Sequence, residues 1–345
     1  MSRTIVVLPG DGIGPEVMAP AVELLRELGD FDVAEYPFGG RALELHGAPM
    51  TEEALAACRV ADAVLFGAVG GPQWDNDLSL KERPGDAFLR LRRELGVYAN
   101  LRPVHTFDAL RGLSPIRPEI LEGTDLLIVR ELTGGIYFGA RGRRQDGSAF
   151  DTAEYSVGEI ERVARVAFRA ARRKVTNVDK ANVLATSRLW RDVVERIHAD
   201  EFPEIELEQL YVDNAAMQLV SRPADFDVIL TDNMFGDILS DEAAVLAGSI
   251  GLMPSASLSD AGPGLFEPIH GSAPDIAGGN IASPLAMFLT VAAMFRYGFD
   301  MAAEATAIEE AIDNALDDGL RTADLGGSHT TTDAGDAVRR ALVAV

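Results

Sequence analysis

Asp237 and Asp241, in the run FGDILSDEA, stand four residues apart and so share one face of any helix that carries them. Like charges at that spacing repel, and a divalent cation between them removes the repulsion; oxygen ligands of this kind suit Mg²⁺ or Mn²⁺. The alternative is that acids simply gather near a helix N-terminus. Asp213, ending the strand-like run LEQLYVD, offers a third carboxylate. Lys180 follows VTNVD and Tyr137 lies in GGIYFG. A lysine near metal-bound carboxylates and a tyrosine beside a flexible glycine pair can both transfer protons, although a buried tyrosine is usually structural.

Arg92, Arg102 and Arg130 lie in RLRREL, ANLRP and IVREL. The last two adjoin strand patterns, where a fixed guanidinium can clamp a carboxylate bidentately. Together they suggest a small polyanionic acid as ligand; singly, each is more often a surface or salt-bridged arginine. The stretch LPGDGIGPE, Leu8 to Glu16, raises a different question, because glycines at 10, 12 and 14 follow an apolar run. A Rossmann loop has the spacing G-x-G-x-x-G and sets a pyrophosphate on bare amides. Here Asp11 and Glu16 would oppose that charge, although Glu35 mimics the ribose-binding acid about 20 residues on. The other reading is a tight strand-to-helix turn with Pro15 at the first helical position.

The elements that must position these residues alternate almost throughout. Runs rich in β-branched residues (TIVVLP, DAVLFG, DLLIVRE, KVTNVDK, IELEQLYVD, FDVILTD) are separated by amphipathic segments such as Val157 to Arg172 and Thr186 to Ala199, which predicts an α/β chain. Gly134 to Glu159 breaks the rhythm with glycines and charges and reads as a projecting arm. The 345 residues suffice for two domains. A net charge of −23, from 31 Lys+Arg against 54 Asp+Glu, repels nucleic acid and anionic membranes and would suit a salt-adapted host. Ile281 to Phe295 is too short to span a membrane and reads as a buried helix. MSRTIVV lacks signal-peptide architecture and the single cysteine, Cys58, has no internal disulfide partner; both point to the cytoplasm.

LPGDGIGPE, GAVGGPQWD, ANLRP, VRELTGGIYFG, VDKANVL, NMFGDILSDEA and EPIHGSAPDIAG occur in one order along nearly the whole chain. With these seven segments the sequence resembles the isocitrate/isopropylmalate β-decarboxylating dehydrogenase family, its isopropylmalate members most closely. The resemblance implies a two-domain fold of the isopropylmalate/isocitrate dehydrogenase kind rather than a Rossmann fold. It implies oxidation of (2R,3S)-3-isopropylmalate by NAD⁺ with loss of CO₂, giving 2-oxoisocaproate, in leucine biosynthesis. Residues 1–98 and 250–345 would form a cofactor-binding domain, and residues 99–249 a second domain with the arm and a homodimer interface, the active site lying in the cleft.

Residue by residue, the resemblance makes Arg92, Arg102 and Arg130 the malate-binding arginines, Tyr137 the general acid, and Asp237 and Asp241 metal ligands. Lys180 and Asp213 would come from the other subunit, Lys180 removing the hydroxyl proton directly or through Asp213 or water, and Asp213 also completing the metal site. The loop His270, Gly271, Ser272, Ala273 to Gly278 would hold NAD, with Asp275 on the adenosine ribose, Ile276 beside it and Ile13 packing on the adenine. Phe88, Leu89 and Val183 would wall the isopropyl group, leaving a third carboxylate unpartnered; they could equally be core. Two departures bear on cofactor affinity. Gly85 stands where the family usually has a Glu near the nicotinamide ribose, with Asp86 one position late. Ser283 stands where an Asn is usual near the adenine. A catalytically silent regulatory subunit is the rival reading, and it expects losses among the tyrosine, lysine and aspartate set, all of which is present.

Overall fold

The computed structural model describes residues 2–77 and 79–342. Its strands are β1 (Arg3–Gly10), β2 (Phe31–Glu35), β3 (Ala63–Ala68), β4 (Ala99–His105), β5 (Asp125–Glu131), β6 (Arg141–Arg143), β7 (Ala149–Asp151), β8 (Lys174–Asp179), β9 (Glu206–Tyr211), β10 (Val228–Thr231), β11 (Pro254–Leu258) and β12 (Gly264–Pro268). The chain divides into two compact units, Met1–Val97 with Phe107–Leu113 and Gly248–Val345, and Tyr98–Thr106 with Ser114–Ala247.

In the first unit the strands run in the order β2-β1-β3-β12-β11, parallel except for the last pair. Strand β1 is apolar on both faces, and Ile5, Val6, Val7 and Leu8 are all buried. The helix Gly14–Leu28 buries Val17, Met18, Ala21, Leu24 and Leu25, a 3.6-residue stripe. The expected buried helix forms as Leu285–Ala293, every residue of which is buried. Among the described residues no helix is long and apolar enough to cross a membrane.

The second unit has the order β4-β5-β10-β8-β9, with β4 antiparallel to β5 and the rest parallel. Ser156 opens the helix Val157–Ala170 with a capping box closed by Glu159. The segment read as an arm contains the exposed hairpin β6-β7, with Arg141 opposite Asp151. One boundary differs from the sequence reading: β9 ends at Tyr211, and Asp213 falls in the first turn of the helix Val212–Ser221, where an acid faces the positive end of the dipole.

The loop after β1 is held by its own carboxylate. Asp11, 4% exposed, accepts the backbone N–H groups of Gly40 (3.0 Å), Arg41 (3.1 Å) and Gly70 (2.9 Å). Burial pushes its pKa up, and those donors pull it back. Replacing Asp11 with Ala leaves three amides without their acceptor. A loss of about 2–4 kcal/mol in unfolding free energy is expected from guanidinium titrations at unchanged m-value; a loss under about 0.5 kcal/mol would show that the loop closes without this carboxylate.

Candidate active site

Four polar residues of the helix Asn233–Ala247, namely Asn233, Asp237, Ser240 and Asp241, repeat at helical spacing and meet two buried arginines. Arg130, at the end of β5 and 3% exposed, gives Nε (3.0 Å) and Nη2 (2.7 Å) to Asn233 Oδ1, and Nη1 to Asp237 Oδ1. Its stem lies so close over Gly236 that a Cβ there would sit 2.6 Å from Cγ. Arg102, in β4 and 7% exposed, donates Nε to Asn100 Oδ1 (2.8 Å) and Nη1 to Ser240 Oγ (2.6 Å). Its guanidinium also stands 3.6 Å from Asp241 and 3.9 Å from Asp237. The two guanidinium groups therefore sit where the acid pair was expected to need a cation. The donor chemistry still fits one: the side chains of Asp237 and Asp241 are 38% and 64% exposed and present hard oxygens one helical turn apart. Asp213 is not with them, and among the described residues no three potential ligands are gathered into a metal cluster.

Tyr137 donates its hydroxyl to Asp237 Oδ2 at 2.9 Å. Burial, followed by the hydrogen bond to Asp237, pushes the phenol pKa up and favours the protonated form. A tight turn, Gly135–Tyr137, aims it. Gly135 has φ +73°, and a Cβ on Gly134 would meet the Tyr155 ring at 2.6 Å, so the GG pair serves close packing as well as the turn. Below it, fully buried Glu131 accepts the N–H groups of Thr133 (2.9 Å) and Gly134 (2.8 Å).

Lys180 and Asp213 form an ion pair of their own, and the lysine pulls the Asp213 pKa down. The neighbouring Asp179, 2% exposed, accepts from Arg191 Nε (2.9 Å) and Nη2 (2.7 Å) and from the Ala181 N–H at 2.9 Å. No recorded contact joins this pair to Tyr137 or Asp237 among the described residues. Val183 is 62% exposed in the turn that follows, so it is not a core residue of this chain.

In the first unit, Arg92 lies on the helix Pro84–Leu95, with Nη2 2.8 Å from Glu267 Oε1 and its guanidinium carbon 4.3 Å from the centre of the Phe88 ring. Nε of Arg92 is buried without a partner. Phe88 is itself 8% exposed and packs on Phe66 and Phe38; it supports Arg92 from the core, and half-buried Leu89 is the better-exposed neighbour. Gly85 is exposed, with open space where a side chain would begin, and Asp86 is engaged by Arg83 at 2.8 Å.

The glycine loop is not a phosphate cradle. The N–H groups of Asp11, Ile13 and Gly14 are spent on the carbonyls of Ala68, Ser272 and Asp11 at 2.8–2.9 Å. Gly10, Gly12 and Glu35 do line a cavity of about 540 Å³, along with Phe38, Arg41 and Trp74. Gly12, at φ +59°, packs so tightly on the Ser272 carbonyl that a Cβ would approach to 1.9 Å. Glu16 accepts from Gly278 N (2.9 Å), Ala282 N (3.2 Å) and Thr331 Oγ1 (2.9 Å). Of the two carboxylates of GDGIGPE, Glu16 ties the helix start to Gly278 at the end of the later loop, while Asp11 gathers the amides of Gly40, Arg41 and Gly70. Ile13 is 5% exposed, which leaves little of it to lie on a ring. The later loop has the marks of a binding site: His270 Nε2 and Ser283 Oγ are buried without partners, Ala273 adopts φ +38°, and Asp275 is exposed. Burial pushes the His270 pKa down, toward the neutral ring.

Asn100, Asn233, Ser240 and Glu267, which the sequence reading passes over, hold the arginines in place. The helical repeat of 233, 237, 240 and 241 was a signal for two of them; nothing local marked Asn100 or Glu267.

The chain is similar to known dehydrogenases along nearly its whole length. The chain is 52% identical to a 3-isopropylmalate dehydrogenase of Pseudomonas fluorescens, over 99% of each chain, and 54% identical to one of Geobacillus kaustophilus, over 94% of this chain and 90% of that one. Among solved structures, isocitrate dehydrogenase from Methylococcus capsulatus superposes with a TM-score of 0.87 at 34% identity, covering 99% of both chains. A β-decarboxylating dehydrogenase from Thermococcus kodakarensis gives 0.84 at 37% identity, over 99% of this chain and 96% of that one. With residues 4–338 also matching the family as a whole, the chain belongs to the isocitrate/isopropylmalate dehydrogenase family.

Proposed function

We propose that this chain catalyses the NAD-dependent oxidative decarboxylation of (2R,3S)-3-isopropylmalate to 2-oxoisocaproate and CO₂, a step of leucine biosynthesis. The observation that carries the chemistry is the convergence of a buried arginine and a protonated phenol on the two oxygens of Asp237. The 52–54% identical relatives of that name support the substrate. The intact set of Tyr137, Lys180, Asp213, Asp237 and Asp241 speaks against a silent regulatory subunit.

Arg102 and Arg130, and Arg92 with them, bind the substrate carboxylates, their geometry set in advance by buried acceptors. Asp237 and Asp241, with Asp213 of a second chain, would hold a divalent cation, which would supply positive charge to stabilise the developing oxyanion. NAD⁺ would serve as hydride acceptor; His270 to Ile276 and Ser283 would hold it, and exposed Asp275 would accept from the adenosine ribose, where a 2′-phosphate would be repelled. Lys180 takes the C2 hydroxyl proton as hydride leaves C2. After CO₂ departs from C3, Tyr137 gives that carbon its proton. The proton lost at the C2 oxygen thus offsets the one gained at C3, and the products balance as ketoacid, CO₂ and NADH.

Lys180 and Asp213 act on a partner's site in this reading. Support comes from their separation from Tyr137 within the chain, and from Met217, Ile238 and Val245, 65%, 58% and 42% exposed on two adjoining helices, which a second copy would cover. We also place the enzyme in the cytoplasm, since its single cysteine, Cys58, is free and has no internal disulfide partner.

Three outcomes test this reading. NADH formation with isopropylmalate should exceed that with isocitrate by about 100-fold or more in kcat/KM, because the extra carboxylate beside Leu89 has no partner; equal rates would refute the substrate. Gly85→Glu, which meets open space on an exposed turn, should lower the KM for NAD⁺ by about three- to tenfold, the worth of one hydrogen bond. An unchanged KM would detach this turn from the cofactor. Homodimers of Tyr137→Phe and of Lys180→Ala should both be severely impaired. An isolated heterodimer with one lesion per chain should recover roughly half of wild-type activity, since one site then receives both intact residues; no recovery would mean that both residues serve their own chain's site.

A further inference from the structure

Asn233 is 1% exposed, and each polar atom of its side chain, with its backbone N–H, is committed. Oδ1 receives the Nε–Nη2 edge of Arg130, Nδ2 donates to the carbonyl of Gly134 at 3.1 Å, and the backbone N–H donates to the Tyr155 hydroxyl at 3.0 Å. Gly134 immediately precedes the turn that carries Tyr137. Arg130 and Tyr137 in turn meet again on Asp237, one helical turn from Asn233. The contacts close a ring: Asn233, Arg130, Asp237, Tyr137, the glycine turn, and back to Asn233.

We propose that Asn233 is a positioning residue that couples the carboxylate clamp to the proton donor, so that the placement of Arg130 and the placement of Tyr137 are set by one amide. Only an amide satisfies both ends. A carboxylate would turn an oxygen toward the Gly134 carbonyl, and an apolar side chain would strand two guanidinium N–H groups where burial keeps water from replacing the acceptor. Misplacement of either partner by about 1 Å is enough to cost up to about 100-fold in rate. The inference rests on the roles given above to Arg130 and Tyr137.

Double-mutant cycles test it, run with whichever of isopropylmalate, isocitrate and homoisocitrate the wild type oxidises fastest. A wrong substrate assignment then shows in the wild type alone and leaves the cycles intact. Asn233→Ala should raise the substrate KM by about tenfold or more and lower kcat by about fivefold or more. In an Arg130→Ala background it should change KM by less than about twofold, and in a Tyr137→Phe background it should change kcat by less than about twofold, because the group it acts through is already gone. If Asn233→Ala fails to fold, judged by circular dichroism and its unfolding midpoint, Asn233→Ser takes its place in both cycles. A single-variant effect carried whole into the double variant, in either cycle, would make Asn233 merely structural and overturn the proposal.

Discussion

Two guanidinium groups taken almost fully out of water are the constraint on which the second unit is built. A buried arginine cannot lose its charge, so every N–H edge must find an oxygen, and leaving one unmatched costs more than the pair gains by forming. The helix Asn233–Ala247 answers with a polar stripe down one face, Asn233 and Asp237 for Arg130 and Ser240 for Arg102, while Phe235, Leu239, Ala243, Leu246 and Ala247 pack in the core. Neutral amide and hydroxyl oxygens take part of each guanidinium, Asn233 for Arg130 and Asn100 with Ser240 for Arg102. The carboxylate of Asp237 pairs with Arg130, and those of Asp237 and Asp241 stand 3.9 and 3.6 Å from Arg102.

The same logic, with the signs reversed, organises the first unit. Asp11 and Glu16 are acids among backbone donors: one gathers three amides to shape its own loop, the other ties down the His270–Gly278 segment. An acid inside a glycine-rich turn is out of place beside a pyrophosphate and well placed as an acceptor for orphan N–H groups. Gly12 belongs to this arrangement, since only a residue without Cβ lets the two loops approach at the Ser272 carbonyl.

Much of the α/β architecture was legible because period and length carry it: β-branched runs bounded by turns for β1, β3, β5, β8 and β10, and a 3.6-residue stripe for Val157–Ala170. Short β2 and the small-residue strand β11 carried no such signal, being only half-buried or rich in serine. Asp213 was assigned to a strand because LEQLYV alternates up to it; the local pattern does not register where the backbone turns over into a helix. Phe88 illustrates a further limit. Its ring is core and cation support at once, and a residue type cannot say which side of a helix turn faces inward.

The sequence by itself determined the α/β class, the helical face shared by Asp237 and Asp241, and the family to which seven ordered motifs point. Residue identity and spacing are enough for these, because they depend on short-range geometry. Which oxygen each arginine meets was decided only in the tertiary structure: Asn233 lies 103 residues from Arg130, Ser240 lies 138 from Arg102 and Glu267 lies 175 from Arg92. Pairing across such distances is set by how the strands order themselves in a sheet and by which helix packs beside them. It is settled by the need to satisfy buried charge, a property of the assembled core that no local stretch of sequence contains.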